Sequence, residues 1–200
     1  MARFRVKDHY FKKAKTEGFL ARSVYKLEEI DKKYRVFQKG QRVLDLGYYP
    51  GSWAQYVSEK VGSKGRVVGV DIQPVHPDLS QKDNVRLMEK DLRELSSEDL
   101  SEAPFDSVIS DMAPKTSGVK ERDQAQSLEL CEEAFGLAEK FLKSSGSFIT
   151  KIFDGPDVQG FEKKLQNRFE RVKRFKPKGT RKESKEFYLI AQTKIDAPKG

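Results

Sequence analysis

The chain has 200 residues, with 39 lysines and arginines against 31 acids and a net charge of +8. That length suits a single domain burying roughly 70% of the surface its unfolded form exposes, so no disulfide or metal staple is required. Its single cysteine, Cys131, excludes an internal disulfide framework; no apolar run is long enough to span a bilayer or centre a secretory signal, and the expected setting is cytoplasmic and reducing, away from membranes. Residues 1–19 are basic, with Phe4, Tyr10 and Phe11 interspersed, and read as a loosely held arm before a domain over 20–193 and a short tail over 194–200. From Leu20 to about Tyr34 the spacing of Val24, Leu27 and Ile30 predicts an amphipathic helix. RVLDLG reads as a strand, residues 45–53 (DLGYYPGSW) as a loop, and Trp53 to Val61 as a short helix. RVVGVDI (66–72) has the β-branched, apolar character of a strand buried on both faces. NVRLME, FDSVISD (105–111) and GSFITKIF (146–153) read as further strands, with a long helix from about Ala125 to Lys143 closed by Gly146. Cys131 lies in that helix's apolar-periodic run and reads as a packed thiol. A helix near 157–168 and strands at RVKRF and EFYLIAQT complete the chain.

Strands alternating with helices imply a mainly parallel sheet covered on both faces, the doubly wound α/β class. Ligands of that class lie outside the carboxyl ends of the strands, where strand order reverses. DLGYYPGSW occupies such a place, and Gly47 and Gly51 permit a sharp turn or a close approach of backbone to ligand. Three residues separate these glycines, so the dinucleotide fingerprint GxGxxG is absent, as is a GxxxxGK[ST] phosphate loop. Asp71 at the end of the second strand could accept from both hydroxyls of a ribose, and Asp91, after the third, from an adenine amino group. A nucleoside without pyrophosphate points to S-adenosylmethionine. For any one of these residues an ordinary turn or strand cap is an equal reading; the ordered set favours the ligand. His9 and His76 are isolated, and no Cys/His spacing suggests zinc.

DLGYYPGSW, VDI, SDMAP, ITKIF and KPKGTRKESKEFYLIA, in that order, resemble the FtsJ-type (RrmJ-like) ribosomal RNA 2'-O-methyltransferases over residues 20 to 192. The resemblance implies a seven-stranded Rossmann-like sheet whose last strand is antiparallel. It implies S-adenosylmethionine held by Gly47, Tyr49, Pro50, Gly51, Ser52, Trp53, Asp71, Ile72, Asp91, Leu92 and Asp111. It further implies a Lys-Asp-Lys-Glu constellation at Lys26, Asp111, Lys151 and Glu186. There Lys151 would accept or orient the hydroxyl proton, Asp111 would hold Lys151, and Lys26 with Glu186 would order the acceptor ribose. The implied reaction is 2'-O-methylation of a uridine ribose in the peptidyl-transferase region of large-subunit ribosomal RNA, on an assembled or nearly assembled subunit, by a metal-free monomer. Tyr48 and Tyr49 depart from the two small residues usual in bacterial members, Ser52 replaces a glycine and Lys115 an asparagine.

RNA contacts fall to the basic ends, with Arg22, Lys176, Lys178, Arg181 and Lys182 as candidates that would share one surface if both ends fold onto one face. Tyr10 and Phe11 either stack on unpaired bases or cover the core, and Tyr48 and Tyr49 either narrow or reshape the cofactor pocket or turn outward to stack on RNA bases. In SDMAPK, Met112 and Ala113 do not supply the proline pair and aromatic ring with which amino-group methyltransferases grip a base, which favours a ribose oxygen as acceptor. A messenger RNA cap ribose methyltransferase, a catalytically silent assembly factor of the same fold and a nicotinamide-dependent dehydrogenase are the rival readings.

Overall fold

The computed structural model describes residues 6–79, 82–180 and 184–196. Helices α1 (Val6–Thr16) and α2 (Val24–Tyr34) precede a sheet of β1 (Arg42–Leu46), β2 (Arg66–Asp71), β3 (Val85–Glu89), β4 (Phe105–Ser110), β5 (Leu142–Phe153), β6 (Phe169–Phe175) and β7 (Glu186–Lys194). Between them lie α3 (Ser52–Val61), α4 (Lys120–Phe141) and α5 (Val158–Arg168). The strand order is β3-β2-β1-β4-β5-β7-β6, and only β7 runs against its neighbours. The doubly wound architecture and the antiparallel last strand are therefore as the sequence implies.

Because successive side chains of a strand point to opposite faces, apolar strands buried on both sides feed two cores. Leu44, Leu46, Val108, Phe148 and Leu189 join Ala134, Phe135 and Phe161 of α4 and α5 on one face. Val43, Ile109, Ile149, Tyr188 and Ile190 meet Leu27, Ile30, Trp53 and Val57 of α2 and α3 on the other. Cys131 is packed in the first core, its thiol pushed up to about 12 by burial. Order reverses between β1 and β4, whose last paired residues are Leu46 and Ser110. The loops leaving those two ends frame the ligand edge.

Four expectations change. The loose basic arm is, over Val6–Thr16, a helix whose Ala14 is buried and whose Tyr10 ring lies 5.4 Å from that of Tyr25. Apolar cover on α2 gives that segment something to fold against. The long helix starts at Lys120, five residues earlier than its periodicity suggests, since the Asp123 carboxylate accepts from Ser117 and Gly118 ahead of it. Gly146 does not close that helix. Leu142 already opens β5, and the Lys194 ammonium donates to the carbonyls of Ala138 and Glu139 at 3.3 and 2.6 Å, capping the helix end from β7. Lys194, placed in the tail by the sequence reading, thus ends β7.

Candidate active site

Gly47 follows β1 with φ +72, and its N–H donates to the Val70 carbonyl at 2.8 Å. A Cβ at that position would come within 2.2 Å of Met112 Cγ, so glycine lets the loops after β1 and β4 touch. Tyr49 N–H donates to Asp71 Oδ2 at 3.0 Å, and Gln73 N–H to Asp71 Oδ1 at 2.8 Å, which fixes the carboxylate at the tip of β2. Beside them opens a cavity of about 690 Å³ lined by the ends of β1, β2 and β4, the turn after β3 and one side of α4. Of the residues implied to hold the cofactor, Gly47, Tyr49, Asp71, Ile72, Asp91, Leu92 and Asp111 line this cavity.

Pro50, Gly51, Ser52 and Trp53 do not form part of its wall. They turn the chain into α3 and pack it on the N-terminal segment: Ser52 and Ser23 hydroxyls are 3.0 Å apart, and Trp53 Nε1 donates to the Ser23 carbonyl. Gly51, at φ +115, admits the Leu79 side chain where a Cβ would collide with it. Asp91 is held by three donations from Arg93, one from its backbone and two from its guanidinium, and the guanidinium draws the carboxyl down to about 2.

Lys151 projects from β5 with its side chain only 7% exposed. Its Nζ donates to the Asp111 carbonyl at 2.5 Å and lies 3.1 Å from Asp111 Oδ1. Lys26 of α2 is 2.5 Å from Glu186 Oε1 at the start of β7. The four residues of the implied constellation thus form two ion pairs at one edge of the sheet. Between the pairs stands Tyr188, unassigned in the sequence. It is the cross-strand partner of Lys151, donates its hydroxyl to Asp111 Oδ1 at 2.6 Å, and carries Lys26 Nζ 6.0 Å over its ring. Burial, then the Asp111 charge, raises its phenol well above the ordinary range, so it remains a donor. Strand register and parity, matching Tyr188 to Lys151, are the signal that could have found it. The Gln126, Glu129, Leu130 and Glu133 side of α4 also lines the cavity; their helical spacing marks one face.

Arg22 is half-buried, and Lys176 and Lys178 are exposed; Arg181 and Lys182 lie outside the described residues. The loop after β6 is tied to α2, where Glu29 accepts from the backbone N–H groups of Lys178 and Gly179. The N-terminal helix packs on α2 as well, with Lys13 Nζ 4.4 Å over the Tyr25 ring. Both basic ends therefore converge on the helix that carries Lys26.

A doubly wound sheet whose carboxyl edge holds a carboxylate-lined cavity beside a lysine–aspartate pair defines a Rossmann-like ligand-binding protein with its site at the point where strand order reverses. Residues 19–194 match the model of the FtsJ-like methyltransferase family. The chain is 49% identical to a ribosomal RNA large subunit methyltransferase E of Bdellovibrio bacteriovorus, covering 94% of this chain and 97% of that protein. It is 52% identical to the methyltransferase E of Oleidesulfovibrio alaskensis over 92% and 90% of the two chains. Among solved structures, a Plasmodium falciparum protein assigned as a ribosomal RNA methyltransferase superposes with a TM-score of 0.77 at 26% identity, covering 88% of this chain and 99% of the other. The fold is shared, at TM-score 0.55 and 17% identity over 77% and 67% of the chains, with an Aeropyrum pernix fibrillarin that holds S-adenosyl-L-methionine. This chain belongs to the FtsJ-like methyltransferase family.

Proposed function

We propose that the protein uses S-adenosylmethionine to methylate the 2'-hydroxyl of a uridine ribose in large-subunit ribosomal RNA, on an assembled or late-assembly subunit. The observation that carries this reading is the Lys151–Asp111 pair, buried at the cavity edge beside the Lys26–Glu186 pair. Curated relatives at about half identity over nearly the whole chain support ribosomal RNA as the substrate.

The cavity suits a net cationic ligand, since Asp71, Asp91, Asp111, Glu129 and Glu133 line it against only Arg93 and Lys115. Asp71 would take the ribose hydroxyls and Asp91 the adenine amino group. When bound, the cofactor supplies an electrophilic methyl carbon on a sulfonium sulfur. Lys151 acts on the other reactant. A neutral amine has two hydrogens, and the carbonyl and the carboxylate of Asp111 accept both, which leaves the nitrogen lone pair for the proton of an incoming 2'-hydroxyl. As an ammonium, the same geometry turns a third hydrogen onto the hydroxyl oxygen and orients it. Either way Asp111 and Tyr188 fix the direction of the amine, and positioning carries much of the acceleration. Lys26 and Glu186 hold the acceptor ribose.

Labelled methyl groups from S-adenosylmethionine are expected to appear on undermethylated large subunits, and mapping of 2'-O-methylation to locate them at a uridine. Lys151→Ala is expected to lower transfer by at least about a hundredfold, in the range of a lost general base. Calorimetry should find its cofactor affinity within about twofold of the parent. Undiminished turnover in that variant removes Lys151 from the chemistry.

A further inference from the structure

Tyr48 and Tyr49, adjacent in sequence, have opposite fates. Tyr48 is 3% exposed and its ring lies over Gly69 of β2, where an added Cβ would sit 2.9 Å from Tyr48 Cδ1. Tyr49 is 47% exposed. Its backbone is fixed by the bond to Asp71 Oδ2, yet no aromatic, cationic or hydrogen-bonding partner engages its ring or hydroxyl among the described residues. Large hydrophobic side chains exposed among the described residues are Phe11, Tyr49, Ile72 and Val119, and of these Tyr49 and Ile72 line the same cavity. An apolar lip at the mouth of a polar site marks a place of contact rather than of packing.

We infer that the Tyr49 ring is a stacking platform for an unstacked RNA base beside the acceptor ribose; this rests on the reading of the site as an RNA ribose methyltransferase. Charge selects the mode of contact. The cavity carries five carboxylates against two cations, one of which, Arg93, is committed to Asp91. Such a mouth repels phosphates, whereas a base stacks on an aromatic face at no charge cost. Phosphates belong on the basic loop tied to α2, and the base reaches the lip. What ties Tyr49 to the Asp71 side of the cavity is its backbone N–H, which Tyr49→Ala keeps, whereas the ring belongs to a residue that is 47% exposed, so the backbone and ring roles separate by substitution.

Tyr49→Ala keeps the backbone N–H and removes the ring. It is expected to raise KM for undermethylated large subunits at least about fivefold, the low end of one stacked base, while Tyr49→Phe stays within about twofold. Cofactor dissociation constants from calorimetry are expected to agree within about twofold across the three proteins. Loss of cofactor affinity in Tyr49→Ala equal to the rise in KM would make the ring a cofactor wall and overturn the inference, as would an unchanged KM. Binding of an unstructured RNA oligonucleotide, followed by anisotropy without turnover, separates the two readings. If the parent binds the oligonucleotide but methylates no subunit, the proposed reaction fails and the loss of binding in Tyr49→Ala still reports the stacking. If Tyr49→Ala binds it as the parent does, or the parent does not bind it, the platform is refuted.

Discussion

Asp45 stands on β1 two residues before Gly47, 1% exposed, with Oδ2 lacking a hydrogen-bond partner among the described residues. Burial, then the charges of Asp111 and Asp71, pushes its carboxyl well above the ordinary 3.8. An ionised group there would stand unpaired in a low-dielectric interior, so the folded protein holds it as the neutral acid. The unfolded chain releases this proton near 3.8, and the native chain releases it only at higher pH. Across that window the native state binds more protons, and stability falls as pH rises, by up to about 1.4 kcal/mol per pH unit. Asp45→Asn replaces the neutral acid by a near-isostere that does not titrate. Thermal melts from pH 4 to pH 7 are expected to show a shallower fall for the variant and a higher Tm at neutral pH. Identical slopes in the two proteins would mean that Asp45 is ionised in the native state.

Two elements are fitted together by a volume exchange between the β1–α3 loop and β2. The Tyr48 ring fills the space a side chain at position 69 would take, and a Cβ at Gly69 would also meet Leu87 Cδ2 at 2.6 Å. Tyr48→Ala opens a cavity and is expected to cost about 3 kcal/mol, the figure for a large aromatic truncated in a core. Gly69→Ala overpacks the same spot and is expected to cost about 1–3 kcal/mol. In the double variant the new methyl enters the space the ring has left, so urea melts should show a total well short of the sum; strict additivity would separate the two sites. A pairing of this kind illustrates what was legible. Period and composition place every strand of the sheet, most plainly the central ones, whose apolar runs are buried on both faces, and the ordered motifs bring Asp111, Lys151 and Glu186 to one edge of it, where Lys26 arrives from α2. Contacts between distant segments are another matter. That Tyr48 turns inward onto Gly69, that Tyr188 stands opposite Lys151, and that Lys194 caps the helix over Lys120–Phe141 depend on register and parity, which no local pattern states. The helix start at Lys120 escaped for the opposite reason: its first turn is polar and is held by the Asp123 cap rather than by an apolar face.

Across the whole molecule, charge is sorted. A chain of net charge +8 nonetheless lines its cavity with five carboxylates and two cations, so the excess of positive charge lies elsewhere on the surface. Lys178 and Lys176 stand on the loop that Glu29 ties to α2, and an added Cβ at neighbouring Gly179 would lie 4.0 Å from Lys26 Cγ. Phosphates bound on that loop would bring a strand alongside the Lys26–Glu186 pair, while the acidic cavity stays reserved for a cationic ligand. Phosphate contacts position without reading sequence and release counterions, so each appears in the salt dependence of binding. Lys178→Gln is expected to weaken binding to large-subunit ribosomal RNA and to reduce the slope of log affinity against log salt by about one. Adding Lys176→Gln should reduce it further, although the bond from Lys176 Nζ to the Ser184 carbonyl at 2.6 Å also steadies the loop, which makes the single variant the cleaner probe. Cofactor affinity should stay within about twofold in both, because neither lysine lines the cavity. A salt slope equal to the parent's in both variants would move the RNA path off this face, and with it the account of how a polyanion reaches an acidic site.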